Sequence, residues 1–267
     1  MERLTKKSYE FEDGFVVWRM LEVASKSYLI VELRNAQVLE TVFVCIDFKD
    51  NTVLWDDVSF ENAWSYSLSH CDSNFVYIKE FEDIDQPLVK ASLSVEIATK
   101  QIAWYKEHCT IEEVYDNGVL LISEKTAEDS HHEKWIDAES GAEVGQVNQS
   151  LHPIKSHIIF PYSYKEGTEH FNTAGKFLKE REHLAIVQDC HYLEFNSYII
   201  IGFYTLNNKK VNHHIFLYNS SGELLHKDLL GSDLKGIASD TFFIAENTLI
   251  YIKEKKEIVT LFLKHES

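Results

Sequence analysis

The sequence predicts an all-β fold built from one repeated unit, and two kinds of pattern indicate it. Short apolar, partly β-branched runs recur along the chain, each directly after turn residues. The clearest is Val119–Lys125, which follows Asn117-Gly118. Two residues that tolerate positive φ, followed by a strand-forming run, are typical of a tight turn that leads into a buried strand. A second hairpin pattern follows most of these runs.

Six such runs set the period of the repeat. They are Tyr28–Arg34, Phe75–Phe81, Val119–Lys125, Ile158–Tyr164, Tyr198–Tyr204 and Leu249–Lys253. Their first residues lie 39 to 51 residues apart, and the step from residue 249 through the chain ends to residue 28 is 46 residues. An all-strand period of about 40–50 residues is typical of a β-propeller with four strands in each blade. The sequence therefore predicts a single six-bladed β-propeller of four-stranded antiparallel blades, residues 1–267.

A second hairpin follows five of these runs and supports the same period. The five segments are Ile46–Trp55, Val95–Trp104, Ile136–Val144, Phe171–Leu178 and Leu217–Leu225. Gly141, Gly175 and Gly222 stand where a left-handed residue would end the turn, and Asn51 stands there in the first segment. The version with Lys100 departs from this pattern.

The N-terminal run is predicted to complete the last blade. That blade has three strands, near Ile237–Ala245, Leu249–Lys253 and Ile258–Lys264, and lacks a fourth. Phe15–Val23 already supplies the first strand of the first blade. We therefore predict that Leu4–Phe11 pairs beside Ile258–Lys264 and closes the ring, which leaves no blade with an unpaired edge.

Two of the hairpins carry a family resemblance. Ile46–Trp55 and Ile136–Val144 both begin with Ile-Asp, and the second continues into Ser140-Gly141. They resemble the hairpin between the third and fourth strands of quinoprotein-like blades, and the repeat is similar to quinoprotein-like and WD-type β-propellers. The chain also resembles an uncharacterised propeller-like family of Bacteroidetes. This resemblance implies the fold and brings no catalytic residue or quinone cofactor with it.

The charge of the chain restricts its partners. Its 43 acidic and 26 basic side chains give a net charge of −17. A field of this sign repels nucleic-acid phosphates and anionic lipid, so we expect no nucleic-acid or membrane partner. It attracts cations and basic protein surfaces. We expect a monomer whose partner, if it has one, is a protein with a basic surface.

The N-terminus and the cysteines favour the cytoplasm. Residues 1–8 contain no apolar segment typical of a secretory signal, and no apolar run reaches the ~18 residues of a membrane span. Cys45, Cys71, Cys109 and Cys190 are far apart in sequence, and the first three lie in or at the start of strand-like runs. Free cysteines there behave as small buried hydrophobes, so a disulfide or zinc site is the lesser interpretation.

Candidate binding residues lie in loops that join the second strand to the third, or one blade to the next. They are Trp64, Asp83, Asp85, His131, His132, His213 and His214. Imidazole is a common transition-metal ligand, and the two histidine pairs precede third strands at similar repeat positions. However, adjacent residues of a strand point to opposite faces, and no H-E-x-x-H spacing occurs. We expect structural or surface histidines, no metal and no cofactor.

The sequence contains no recognisable catalytic constellation. The G-x-S-x-G, G-x-G-x-x-G and P-loop patterns are absent, so catalytic residues are unknown. The leading hypothesis is a non-catalytic binding or protein-interaction module. The alternative is an enzyme, or a small-molecule or metal sensor, with a polar site at the central funnel. The enzyme requires converging carboxylates or histidines with shifted pKa values, whereas the interaction module requires an apolar or single-charge surface patch.

Overall fold

The structure is a computed structural model that describes residues 4–23, 25–50, 52–83, 88–125, 130–145, 147, 151–236 and 242–264. The chain forms two compact units. The first unit is Glu12–His157, and the second unit combines Met1–Phe11 with Ile158–Ser267. Every sheet in both units is antiparallel.

The first unit contains three sheets in which consecutive strands are neighbours. Sheet 1 consists of β2 (Val16–Val23), β3 (Tyr28–Asn35), β4 (Glu40–Asp47) and β5 (Thr52–Val58). Sheet 2 follows a short 3₁₀ helix (Ala63–Ser65) and consists of β6 (Tyr66–Cys71), β7 (Phe75–Phe81), β8 (Val89–Glu96) and β9 (Ile102–Glu107). Sheet 3 consists of β10 (Cys109–Val114), β11 (Val119–Lys125) and β12 (His131–Asp137).

The second strands of these sheets show why the sequence period was visible. β3, β7 and β11 begin at Tyr28, Phe75 and Val119, as predicted. In β3 and β7 most residues on both faces are buried, and these strands therefore appear in the sequence as continuous apolar runs. The outer strands β5 and β9 expose most of their residues.

A repeated backbone hydrogen bond fixes the turn before each second strand. The amide that follows the third strand donates to a carbonyl in that turn. The bonds are Phe48 N to Ser27 O at 2.9 Å, Ile97 N to Asn74 O at 2.8 Å, Ala138 N to Gly118 O at 2.9 Å and, in the second unit, Leu263 N to Asn247 O at 2.8 Å. Gly118 has φ +75°, which confirms the predicted turn.

Two tryptophans join neighbouring sheets of the first unit. The Trp55 indole N–H donates to Ile97 O at 3.0 Å, and the Trp104 indole N–H donates to Ala138 O at 2.9 Å. Both rings are buried in outer strands. The prediction that these residues pack between blades, rather than stack on a ligand, is confirmed at the level of neighbouring sheets.

The second unit contains two sheets and one helix. Sheet 4 consists of β13 (Tyr162–Lys165), β14 (Val187–Phe195), β15 (Tyr198–Asn207), β16 (Lys210–Asn219) and β17 (Leu224–Leu234), and α1 (Glu169–Glu182) lies between β13 and β14. Sheet 5 consists of β18 (Phe242–Ala245), β19 (Thr248–Lys253), β20 (Glu257–Phe262) and β1 (Thr5–Glu10). Residues 237–241 of the predicted strand Ile237–Ala245 lie outside the described residues.

The predicted pairing of the N-terminal run is confirmed. β1 is antiparallel to β20 from Thr5↔Phe262 to Glu10↔Glu257. Asp228 of β17 adds an ionic link, because it accepts from Lys6 at 2.7 Å, Tyr251 at 2.9 Å and Lys253 at 3.2 Å. Burial of Asp228 opposes its charged form, but these donors outweigh burial and lower its pKa to about 2.

The sequence predicts six blades, whereas the part of the chain that the structure describes contains five sheets. Ile158–Tyr164 does not begin a blade of its own, and its last three residues form the start of the edge strand β13. The predicted hairpin Phe171–Leu178 is wrong, because this segment lies inside α1. Thr168 caps that helix by accepting from Phe171 N, and the buried Phe171, Ala174 and Leu178 recur at helical spacing.

The predicted left-handed turn residues divide in the same way. Gly141 and Gly222 have φ of +67° and +78°, which confirms their role, whereas Gly175 is helical. Lys100, in the segment without glycine, itself adopts φ +64°. The turn geometry is thus kept there without a glycine. Asn51 lies outside the described residues.

All four cysteines are free thiols; Cys45, Cys71 and Cys109 lie in strands, as predicted, and Cys190 lies in β14. Burial raises the pKa of Cys45, Cys71, Cys109 and Cys190 to about 12. These thiols are therefore protonated and unreactive at neutral pH. Within the described ranges, no helix has the length and apolar character needed to cross a membrane.

Candidate functional site

An exposed patch of aromatic and aliphatic side chains lies at one end of the strands of sheets 1 and 2. It consists of Trp18, Arg34, Val38, Leu39 and Trp64 and is called the Arg34 patch below. Trp18, Val38 and Leu39 are 60%, 63% and 52% exposed. Trp18 lies at the start of β2, and Val38 and Leu39 lie in the β3–β4 turn. The antiparallel pairing places both segments at the same end of the strands.

The Arg34 guanidinium lies between two indole rings. Its central carbon is 5.0 Å from the Trp18 ring and 5.1 Å from the Trp64 ring. Cation–π contacts at such distances are attractive and hold planar groups in register. Arg34 also donates to Tyr66 O at 3.1 Å, which connects sheet 1 to the first strand of sheet 2.

A fully buried carboxylate supports the guanidinium from below. Glu32, two residues before Arg34 on the same face of β3, accepts from Arg34 Nε at 2.7 Å. Its second oxygen accepts from Ser67 Oγ at 2.9 Å and from Leu68 N at 2.8 Å. All three donors point to one carboxylate, so Glu32 fixes the arginine and binds β6 to β3 at the same time.

Backbone irregularities occur at two of the three exposed apolar residues of the patch, Trp18 and Leu39. Between Val17 and Arg19 the register of β2 against β3 shifts, so Trp18 is the extra residue of a β-bulge. Bulges turn a side chain away from its regular direction. Leu39 has φ +54°, which is unfavourable for a residue with a branched side chain by roughly 1–2 kcal/mol. Lys100 adopts the same left-handed conformation in another hairpin turn, so this φ is a property of the turn, and the exposure of Leu39 is the observation that bears on function.

Exposed carboxylates lie at the same strand ends as the Arg34 patch. Six exposed acidic residues lie in the segments that enter or leave the strands at this end: Glu12, Asp13, Glu40, Glu61, Glu82 and Asp83. Lys90, at the same end, is paired with Glu80 at 2.6 Å. The result is an apolar centre with an acidic rim.

Two of the candidate binding residues predicted from the sequence lie at these strand ends. Trp64 belongs to the patch and Asp83 to its rim, whereas Asp85 lies outside the described residues. Trp18, Arg34, Val38 and Leu39 were missed. A tryptophan and two aliphatic residues outside the strand interior were the available signal, because each interrupts the expected polar character of strand ends and turns.

His131 and His132 lie at the exposed start of β12. His131 Nδ1 is 3.1 Å from Ser123 Oγ, and His132 Nε2 is 3.3 Å from Ser130 Oγ. Each imidazole therefore has a serine hydroxyl as its hydrogen-bond neighbour. These contacts are typical of surface histidines.

His213 and His214 lie in β16, inside the second unit. His213 stacks on Tyr204 at 4.2 Å between ring centroids, and His214 stacks on Phe203 at 5.2 Å. Tyr204 and Phe203 are their cross-strand partners in β15, so the two imidazoles occupy opposite faces of sheet 4. Burial of His213, with the nearby His191 and His214, lowers its pKa to about 3. His213 is a neutral residue of the core.

A polar cluster on sheet 2 contains two groups with shifted pKa values. Both pKa values are shifted away from neutral pH, which is the opposite of what acid–base catalysis needs. Glu80 accepts from Lys90 and from Tyr105 Oη, each at 2.6 Å. Burial works against its charged form, but these hydrogen bonds prevail and lower its pKa. Burial and Glu80 together raise the pKa of Tyr66 to about 12. A general acid or base works best with a pKa near the working pH, and these shifts move both groups away from it.

An acidic pocket of about 280 Å³ lies in the first unit, at the strand ends opposite to those that carry the Arg34 patch. It is lined by the Asn117-Gly118 turn together with Asp72 and Asp137. Asp72 already accepts from Asn74 N and Phe75 N, and Asp137 accepts from Ser140 N. These carboxylates stabilise turns. Within the described part of the chain, no group of three or more His, Cys, Asp or Glu side chains is placed to hold a metal ion.

Residues 23–104 are similar to a family described as a domain of unknown function, DUF4905. This segment is less than half of the chain and includes Arg34, Val38, Leu39 and Trp64. No curated protein matches the chain.

Two solved structures are similar over almost the whole chain. One is a member of the DUF4221 family from Bacteroides vulgatus, with 10% identity, a TM-score of 0.29 and coverage of 98% of each chain. The other is BamB from Moraxella catarrhalis, with 9% identity, a TM-score of 0.30 and coverage of 97% of this chain and 100% of that chain. At TM-scores this low, neither structure carries an argument about function. The four-stranded antiparallel sheets are consistent with a propeller-like, all-β fold.

Proposed function

We propose that the protein is a non-catalytic protein-interaction module that binds a basic partner protein through the Arg34 patch. The exposed apolar centre of this patch is the observation that carries the proposal. Trp18 and Leu39 are both more than half exposed. Contiguous apolar surface of this kind, surrounded by polar residues, marks interaction sites in soluble proteins.

The composition of the patch matches that of binding hot spots. Tryptophan and arginine are the residue types most enriched among side chains that contribute most to protein–protein affinity. Arg34 is already immobilised by Glu32 and the two indole rings, so little side-chain freedom remains to be lost on binding.

The acidic rim determines the charge expected of the partner. Six exposed carboxylates lie at the strand ends that carry the apolar centre, and the whole chain carries a net charge of −17. Electrostatic complementarity favours a partner with lysine and arginine around an apolar side chain. The association should therefore weaken as salt concentration rises.

The complete ring of six blades stays a prediction. The pairing of β1 with β20 supports closure by the N-terminal strand, and a sixth blade requires a sheet beyond the five described. We also propose that the protein is monomeric and located in the cytoplasm.

A pair of variants tests the interaction. Leu39→Asp places a charge in the centre of the patch, and aspartate tolerates the left-handed backbone of that position. Ile102→Asp is the matched control, because Ile102 is 51% exposed and begins β9 at the opposite end of the strands of sheet 2. Proteins retained by immobilised wild-type protein from an extract of its host are compared with those retained by each variant. The best candidate is then purified, and its Kd is measured at two salt concentrations.

The proposal predicts a basic protein that is lost with Leu39→Asp and kept with Ile102→Asp. Its Kd should increase at least about tenfold in the first variant, as expected when a hot-spot side chain is disrupted. A retained set that Leu39→Asp leaves unchanged would contradict the proposal. So would an affinity that does not respond to salt.

A further inference from the structure

A second, separate cavity lies beside helix α1 in the second unit. Its volume is about 430 Å³, which is in the range of small-ligand sites. Three aromatic rings, from Tyr164, Phe177 and Tyr192, form much of its lining. Ile199 and Ile201 contribute aliphatic surface.

The strand register explains why these side chains meet. Tyr192 lies opposite Ile201, and Glu194 lies opposite Ile199, so all four side chains are on one face of sheet 4. Tyr164 of β13 lies opposite Cys190, two residues from Tyr192, and shares that face. The sheet therefore supplies a row of aromatic and aliphatic side chains that ends in one carboxylate.

Helix α1 covers only part of this row. Phe171, Ala174 and Leu178 are buried against the sheet, and the Phe177 ring contacts Tyr218 edge-on at 5.1 Å. The His170 ring lies 4.6 Å from the Tyr164 ring at the helix N-terminal end. The cavity is the uncovered space between this helix edge and the strands.

The charge at the cavity is negative. Among the lining residues that the structure describes, Glu194 is the one carboxylate, and there is neither lysine nor arginine. Tyr192 Oη donates to Glu194 Oε1, which orients the carboxylate at the aromatic wall. Burial and the contact with Glu194 raise the pKa of Tyr192, so its hydroxyl remains a donor.

We propose that this cavity binds a small organic cation, an ammonium or N-methylated ammonium group attached to an apolar body. Aromatic ring faces attract cations through their quadrupole, and several rings around one cavity are the usual means of recognising quaternary ammonium groups. Glu194 adds a full negative charge at the rim, and the isoleucines accommodate the apolar body. A ligand with a carboxylate or sulfonate would meet Glu194 with no compensating positive side chain.

The test compares two probes of opposite charge on the full chain by isothermal titration calorimetry. Benzyltrimethylammonium and benzenesulfonate share an aromatic body and differ in charge. We expect millimolar binding of the cation and at least tenfold weaker binding of the sulfonate. Tyr192→Phe keeps the ring and should retain binding within about threefold, whereas Tyr192→Leu removes the ring and should weaken it about tenfold.

Glu194→Gln isolates the charge, with Glu180→Gln on the exposed side of α1 as its control. Glu194 is exposed, so its replacement preserves the fold, and we expect binding of the cation to weaken three- to tenfold. The Glu180 side chain is 66% exposed, and its variant should bind like the wild type. Equal affinity for both probes, no heat of binding for the cation, or unchanged affinity in Tyr192→Leu would overturn the proposal.

Discussion

Replacing Glu32 with leucine should destabilise the protein strongly, because this side chain is 0% exposed and satisfies three donors. The substitution leaves Leu68 N–H and the Ser67 hydroxyl in the interior without their acceptor. Each buried donor that loses its acceptor lowers the free energy of unfolding by about 1–3 kcal/mol. It also removes the counter-charge of Arg34, and losing one member of a buried ion pair is worth about 3–5 kcal/mol. These terms overlap, so we expect a total of about 4 kcal/mol.

Thermal unfolding followed by circular dichroism measures this effect. A loss of about 4 kcal/mol in a chain of this size corresponds to a decrease in Tm of roughly 10 °C. Glu40→Leu is the matched control, since Glu40 is exposed at the start of β4 and should change the Tm little.

The double variant Glu32→Leu/Arg34→Leu adds a test of the charge. It should be less destabilised than Glu32→Leu alone, because the uncompensated guanidinium is gone. A Tm for Glu32→Leu equal to that of Glu40→Leu would refute the role assigned to the carboxylate. A double variant less stable than the single variant would refute the account of Arg34.

Three further changes test the fold. Deleting residues 1–12 removes the partner of β20, so the thermal unfolding temperature should fall sharply, and a Tm equal to that of the full chain would refute ring closure. Trp104→Phe removes the buried bond to Ala138 O and should lower the free energy of unfolding by about 1–3 kcal/mol in denaturant titrations. The folded pKa of His213, about 3, lies below its unfolded value, so His213 reduces stability progressively as pH falls from about 6.5 to 3. His213→Phe should make unfolding in that window less pH-dependent, and an unchanged pH profile would contradict the buried, neutral assignment.

The sequence revealed those parts of the fold that are coded locally. Tyr28 and Phe75 open strands buried on both faces, which are continuous apolar runs, and Val119 opens a strand whose buried Leu120 and Ile122 follow a recognisable turn. The N-terminal strand was found by elimination, since Leu4–Phe11 had no other partner. Its pairing with β20 is confirmed.

Other parts depend on contacts that sequence spacing does not encode. Phe171–Leu178 has the apolar, glycine-containing pattern of a short hairpin, but the cap at Thr168 and packing on sheet 4 make it a helix. The candidate site is harder still. Trp18 becomes exposed through a bulge, and Arg34 meets Trp64 only because sheets 1 and 2 are neighbours. Neither the bulge nor the contact between the two sheets produces a periodic pattern in the sequence.

The pairing of Thr5 with Phe262 has a consequence for biosynthesis. One strand of sheet 5 is made more than 200 residues before its partner strand. Until residue 262 has been made, β1 must wait in an unpaired form while more than 200 other residues emerge. Contacts over such sequence separations form slowly, because a very long loop must close before the strands can pair. Pairing of β1 with β20 should therefore be a late step of folding, and nascent chains that lack β20 are expected to depend most on chaperones.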